Sequence, residues 1–170
     1  MSQRRDALRG FLVKTPFFGG LDDAALDRII AMLGERDFHR GEDVYKQGEQ
    51  GRSLFIIEEG TLVMCNAGAH GHEVKLTRLG PGDFFGDTSL VEMQPRPNTV
   101  RVEQDAHLLE LTNMDLYRLY KEDVRAYVMV LQNMNRELCR RLRKSDARIT
   151  QLADESGDDD TQIKPLPTRR

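Results

Sequence analysis

A mainly β domain flanked by helices, a sandwich or jelly roll ending in one long C-terminal helix, is the fold class this sequence predicts. Three observations lead there. Between Asp37 and Thr112, short runs rich in Val, Ile, Leu and Phe alternate with Gly-rich turns, the pattern of regularly spaced short strands. On both sides of that region, apolar residues recur three and four apart, the period of an amphipathic helix. From Val124 onward that spacing continues for nine positions without a Gly or Pro, which predicts a single long helix.

The elements follow in chain order. Gln3 to Lys14 reads as a short helix that stops before Pro16. A second helix begins at Asp22, whose carboxylate can accept from free N–H groups of the first turn. Leu26, Ile29, Ile30 and Leu33 share one face of it, and Gly34 suits its end. The strand candidates are Val44-Tyr45, Leu54 to Ile57, Thr61 to Cys65, Val74 to Leu79, Thr99 to Val102 and Leu108 to Leu111, with Asn66 to His72 as a loose hairpin tip. A short helix then carries Leu116, Leu119 and Tyr120, and the long helix starts near Asp123. The ordered domain is expected over residues 12–153. The polar segment 154–170, with Asp158-Asp159-Asp160 and no apolar periodicity, reads as a disordered tail.

The long helix carries a heptad seam. Val128, Asn135, Leu142 and Ile149 fall at a, and Leu131, Leu138, Ser145 and Leu152 at d. At ~1.5 Å per residue the helix spans about 45 Å. A parallel homodimer is expected, held by Leu131, Leu138, Leu142, Ile149 and Leu152. Asn135 sets the register by pairing with its own copy, and Arg141 at g faces Asp146 at e of the second helix. Packing of this helix on its own domain is the competing account, and it serves Val124 to Leu131 better than the second half.

Bulk properties exclude several classes. The chain has 170 residues, enough for one domain with a real core, and a net charge of −3 that gives no global reason to bind nucleic acid or a membrane. Cys65 and Cys139 lie far apart without paired-ligand spacing, no apolar run is long enough to span a bilayer, and Met1 to Lys14 lacks the apolar stretch of a secretion signal. A reducing cytoplasm is the simplest expected location.

The candidate site is the run from Phe85 to Val100. It follows the tight-turn sequence Leu79-Gly80-Pro81-Gly82-Asp83-Phe84 and combines Gly86, a short helix-capable segment and Arg96. Backbone N–H groups at a helix start together with a guanidinium suit a phosphate. Asp87 in the same element suits a hydroxyl donor, and phosphate plus hydroxyl describes a ribose phosphate.

This stretch resembles the phosphate-binding cassette of cyclic nucleotide-binding domains, which reads Phe-Gly-Glu-x-Ala-Leu, a spacer, then Pro-Arg-x-Ala-Thr-Val. Phe85, Gly86, Leu90, Pro95, Arg96, Thr99 and Val100 keep that pattern. Leu21-Asp22, Gly41-Glu42, Gly48-Glu49, Leu54 to Gly60 and Leu79 to Asp83 follow in the family's order, so the resemblance covers roughly residues 12–150. It implies a double-stranded β-helix, or jelly roll, with a long dimerisation helix, and a regulatory sensor; the sequence offers no nucleophile–base pair or metal site, so an enzyme is not expected. The implied ligand is a cyclic nucleotide (cAMP, cGMP or a cyclic dinucleotide), with Arg96 on the phosphate and Asp87 on the ribose hydroxyl. Three departures stand out: Asp87 replaces Glu, Ser89 replaces Ala, and Pro97-Asn98 replaces x-Ala. Asp87 is one methylene shorter than the family's Glu. Ser89 adds a hydroxyl. Pro97 has no N–H where the family donates one to the phosphate, and Asn98 can offer its own N–H and amide. The family's long helix also touches the purine, and the matching positions here are Ser145 and Asp146.

Two other features compete for a role. His70-Gly71-His72-Glu73 invites comparison with a cupin-like metal enzyme, but a Gly-rich turn and the lack of a further spaced ligand argue against a metal. Arg136, Arg140, Arg141, Arg143, Lys144 and Arg148 form a basic band that suits a solvated helix face. No DNA-reading domain follows the long helix in this sequence. The expectation is therefore a signal passed to an effector protein, without direct DNA or membrane binding. The alternative is a dimeric scaffold with a degenerate cassette.

Overall fold

The computed structural model describes residues 2–68 and 71–156. Helix α1 (Ser2–Leu12) and a 3-10 turn (Pro16–Phe18) precede α2 (Asp23–Met32). Six strands follow: β1 (Gly34–Phe38), β2 (Asp43–Tyr45), β3 (Ser53–Ala67), β4 (Glu73–Leu79), β5 (Phe84–Phe85) and β6 (Thr99–Thr112). Helix α3 (Asp87–Glu92) lies between β5 and β6, and α4 (Asn113–Glu122) and α5 (Val124–Ser156) close the order. The chain divides into two compact units after Met134, within α5.

In the first unit all pairings are antiparallel, in the order β1-β6-β3-β4, with β2 also on β6 and β5 on β3. This is the jelly-roll arrangement that the sequence predicts. The apolar runs are continuous because both faces of the sheet are buried. Leu54 and Ile56 of β3 point into a core shared with Phe17, Ile29, Phe84, Leu90, Leu109, Leu111 and Leu119. Their neighbours Phe55 and Ile57 point into a second core with Tyr45, Leu62, Phe85, Val100 and Leu108. The period-two alternation of a strand thus divides one run between two cores.

The predicted pairs Leu54–Ile57 with Thr61–Cys65, and Thr99–Val102 with Leu108–Leu111, are each halves of one long strand, β3 and β6. The register shifts between Ile57 and Leu62 mark the join. Gly60 sits there at φ +96, and a Cβ on it would meet the Asp105 carbonyl oxygen at 2.4 Å. Gly34 does not end α2. Leu33 leaves the helix in an extended conformation and Gly34 opens β1, a strand the charged run Gly34–Phe38 concealed.

The helix starts are capped by side chains, as their sequences suggest. Asp22 Oδ1 accepts from the Ala25 N–H at 2.8 Å, and Asp123 Oδ1 from the Ala126 N–H at 3.0 Å. Thr112 and Asp115 form a reciprocal capping box at α4. The face that packs the first part of α5 differs from the expected one. Ala126, Val130 and Met134 are buried, whereas Val124 and Val128 are 54% and 43% exposed. Leu131 packs partly buried against the helix-side core. Asn133 fastens this segment: its amide nitrogen donates to the carbonyls of Phe17 at 3.0 Å and Gly19 at 2.8 Å.

In the second unit α5 runs to Ser156, three residues beyond the expected boundary at 153. Asn135 is exposed and Leu138 half-buried. Leu142, Ile149 and Leu152 are 62%, 65% and 47% exposed, an apolar line along the heptad positions. Glu137 pairs with Arg140 and Arg141 within the basic band. The rest of the expected tail, residues 157–170, lies outside the described residues. No described helix is long and apolar enough to cross a membrane.

Candidate functional site

Each part of the site is positioned by backbone geometry. Paired β5 ends at Phe85, and Gly86 turns the chain at φ +82 to start α3. A Cβ on Gly86 would lie 2.6 Å from Arg96 Nη1 and 2.9 Å from the Ser53 carbonyl, so the turn needs glycine for both conformation and space. Met93 ends α3 in the left-handed region at φ 55. The returning chain is pinned to the loop after β2: the Arg96 N–H donates to Glu49 O at 2.7 Å, and the Gly48 N–H to Arg96 O at 2.9 Å.

That backbone frame aims Arg96 inward, where only 5% of the residue is exposed. Its Nη1 donates to the Gly86 carbonyl at 3.1 Å and its Nη2 to Ser53 Oγ at 3.4 Å. The guanidinium lies over the Tyr45 ring at 4.1 Å and near the Phe55 ring at 5.9 Å. Burial draws the pKa of Arg96 down, and the negative charges of Glu110, Glu49 and Asp87 oppose that shift. A guanidinium nevertheless keeps its charge in proteins. The seat is therefore a desolvated cation supported by ring faces and two oxygens.

Two polar atoms in this seat have no hydrogen-bond partner among the described residues: Arg96 Nε and the hydroxyl of Ser89, a residue 1% exposed. Gly51 lies against both. A Cβ there would fall 2.4 Å from Ser89 Cβ and 2.8 Å from Arg96 Nε. Asp87, 3% exposed, stands at the first position of α3. Beside the seat, Gly51 and Ser89 help line a cavity of about 260 Å³ with Gln50, Arg52, Leu90, Met93 and Asn113. Burying donors without partners is costly, so such a group calls for a water or a ligand that completes it.

Gly86, Asp87, Ser89 and Arg96 thus come together. Pro97 is exposed on the loop and offers no N–H, while Asn98 sits at the rim, its Oδ1 3.4 Å from the Tyr45 hydroxyl. Ser145 and Asp146 are exposed on the part of α5 that belongs to the second unit. Tyr45, Gly51 and Ser53 are absent from the sequence-based site. Tyr45 reads as a strand residue, Ser53 lies just before the strand candidate Leu54 to Ile57, and Gly51 is one more glycine close to Gly48. Of the metal candidates, His70 lies outside the described residues, His72 is exposed, and Glu73 is bound to Arg101 at 2.6 Å. Among the described residues no cluster of His, Cys, Asp or Glu is arranged to hold a metal ion.

A family model described as the cyclic nucleotide-binding domain matches residues 35–123. The chain is 29% identical over 139 residues to the cyclic AMP receptor protein of Thermus thermophilus, covering 82% of this chain and 62% of that protein. It is 38% identical over 99 residues to a cAMP-dependent protein kinase regulatory subunit of Mycosarcoma maydis, covering 58% and 19%. The chain therefore spans less than two thirds of the length of these relatives. The crystal structure of a cyclic nucleotide-binding domain from Methylobacillus flagellatus superposes with a TM-score of 0.78 at 17% identity, over 96% of this chain and 87% of that one, a likeness of fold.

Proposed function

The chain belongs to the cyclic nucleotide-binding domain family, and from that premise we propose that it is a non-catalytic sensor whose cassette takes a cyclic nucleotide and whose long helix passes the signal to an effector protein. The observation that carries the ligand reading is the pair of buried donors without partners, Arg96 Nε and Ser89 Oγ, on either side of Gly51. A phosphate oxygen would satisfy both, and Arg96 already presents its charge in a dry setting where an anion gains most. Asp87 would accept from the ribose 2′-hydroxyl. Asn98 at the rim would supply what Pro97 lacks. Ser145 and Asp146 would meet the base. The nucleotide would be cAMP, cGMP or a cyclic dinucleotide. The exposed line Leu142, Ile149 and Leu152, continued by Leu131, Asn135 and Leu138, would form the seam of a parallel homodimer. Such a protein would work in the cytoplasm.

A second reading rests on Pro97, which removes a phosphate donor of the family pattern: a dimeric scaffold with an empty cassette. Calorimetric titration of the chain with the three nucleotide classes separates the two. We expect saturable binding of at least one nucleotide, and loss of about 2 kcal/mol or more of its binding energy in Arg96→Ala. Binding to none of them, or equal affinity for parent and variant, contradicts the proposal.

A further inference from the structure

Away from the cassette, five charged or titratable side chains from four elements converge on one face of the sheet. His107 of β6 stands beside Asp37 of β1, its register partner. His107 Nδ1 is 2.6 Å from Asp37 Oδ1, and Nε2 lies 3.2 Å from Glu35 Oε2 and 3.5 Å from Glu58 Oε2 of β3. Glu35 and Asp37 are two apart on β1 and so share a face. From α1, Arg4 reaches over this group. Its Nη1 and Nη2 grip the two oxygens of Glu58 at 2.6 Å each, its Nε donates to Glu35 Oε1 at 3.3 Å, and Nη2 lies 3.2 Å from His107 Nε2.

The charges do not balance when His107 is neutral. Three carboxylates then face one guanidinium, an excess of two negative charges; an imidazolium halves it. We propose that Arg4, Glu35, Asp37, Glu58 and His107 form a proton-operated clamp, which fastens α1 and the edge strand β1 to the sheet when His107 is charged and slackens them when it is neutral. In the charged state both ring nitrogens donate, Nδ1 to Asp37 and Nε2 to Glu35, while Arg4 keeps its two-pronged hold on Glu58. In the neutral state Nε2 gives up its proton and can accept only from Arg4 Nη2, 3.2 Å away, so Glu35 loses its imidazolium donor and the site one positive charge. The edge position of β1 makes it the strand most sensitive to such a loss, since it has a neighbour on one side only.

Desolvation lowers the affinity of His107 for its proton, but Asp37, Glu58 and Glu35 together outweigh it, and the pKa is raised above its ordinary value. A raised folded-state pKa means that this stabilisation is complete below the unfolded value of about 6.5 and is lost as pH rises through the folded value. The clamp is thus tight below about pH 6.5 and slackens as pH rises through the raised pKa of His107, the side chain whose ordinary pKa lies in this range.

Hydrogen–deuterium exchange of the full chain at pH 6 and pH 8, corrected for intrinsic exchange rates, tests this. Amides of residues 3–12 and 34–38 should lose protection severalfold at pH 8. The central β3–β6 ladder should not change, and His107→Gln should abolish the difference. The clamp is overturned by an equal pH effect in His107→Gln or by none in the parent chain. Should the variant fail to fold, an NMR titration of the parent's His107 ring decides: a pKa at or below about 6.5 overturns the proposal. The outcome is independent of nucleotide binding.

Discussion

A buried arginine facing a carbonyl, a hydroxyl and an aromatic ring is an incomplete arrangement, and Arg96 is held that way by its neighbours' backbone. Gly86 and Gly51 make the room, and Ser89 closes the far side. The family departures act on the same few ångströms. In the proposed complex Asp87 would shorten the reach to a ribose hydroxyl, and Pro97 has no N–H to give. Restoring both, in Asp87→Glu with Pro97→Ala, should tighten nucleotide binding, by about 1.5–3 kcal/mol for the recovered donor alone. The two sites would share one ligand, so their effects need not add. Titration of parent, single and double variants checks this, and a double variant that binds no tighter contradicts it. The cassette was legible because Gly, carboxylate and Arg at fixed spacing are chemically distinctive. Gly51 was not, because a glycine that is needed for close packing looks in sequence like any turn glycine. Tyr45 was not, because a residue whose ring both fills a core and receives a cation is marked only as apolar.

Among the elements, the helices were readable from their caps and periods, the strands less so. The joins within β3 and β6 carry Gly60 and polar residues, which read as turns, yet a bulge keeps the pairing going. In α5 the heptad line was legible, but the stripe that packs the helix on its own domain was not, because Ala126 and Met134 are weak hydrophobic markers. The exposed Val124 and Val128 then leave the heptad face open from the start of the helix. Two predictions belong here. Asn133→Ala removes the donor shared by the Phe17 and Gly19 carbonyls and should cost about 1–3 kcal/mol of stability in urea denaturation. A change within a few tenths would mean that those carbonyls are satisfied otherwise. Leu138→Lys with Leu142→Lys puts four like charges into the proposed seam, so sedimentation at micromolar protein should show a parent dimer and a variant monomer. A parent that sediments as a monomer removes the dimer.

At the scale of the whole molecule, one sheet serves two cores, and the cassette lies where they meet. Phe84 packs with the helices, Phe85 packs within the roll, and the next residue is Gly86. Displacing the cassette therefore disturbs both cores at once. Through Phe84, in edge contact with Phe17 at 4.9 Å, it reaches the turn whose carbonyls hold Asn133 of α5. That continuity is the route by which, in the proposed function, a bound ligand would bias the helix. In the proposed complex the phosphate of a cyclic nucleotide completes the seat of Arg96. NMR of the Arg96 side-chain Nε–H resonance, followed through titration with whichever nucleotide binds, tests it most directly. We predict a large downfield shift and slowed solvent exchange as the donor gains a charged acceptor. A nucleotide that binds while this resonance stays unchanged would contradict the account.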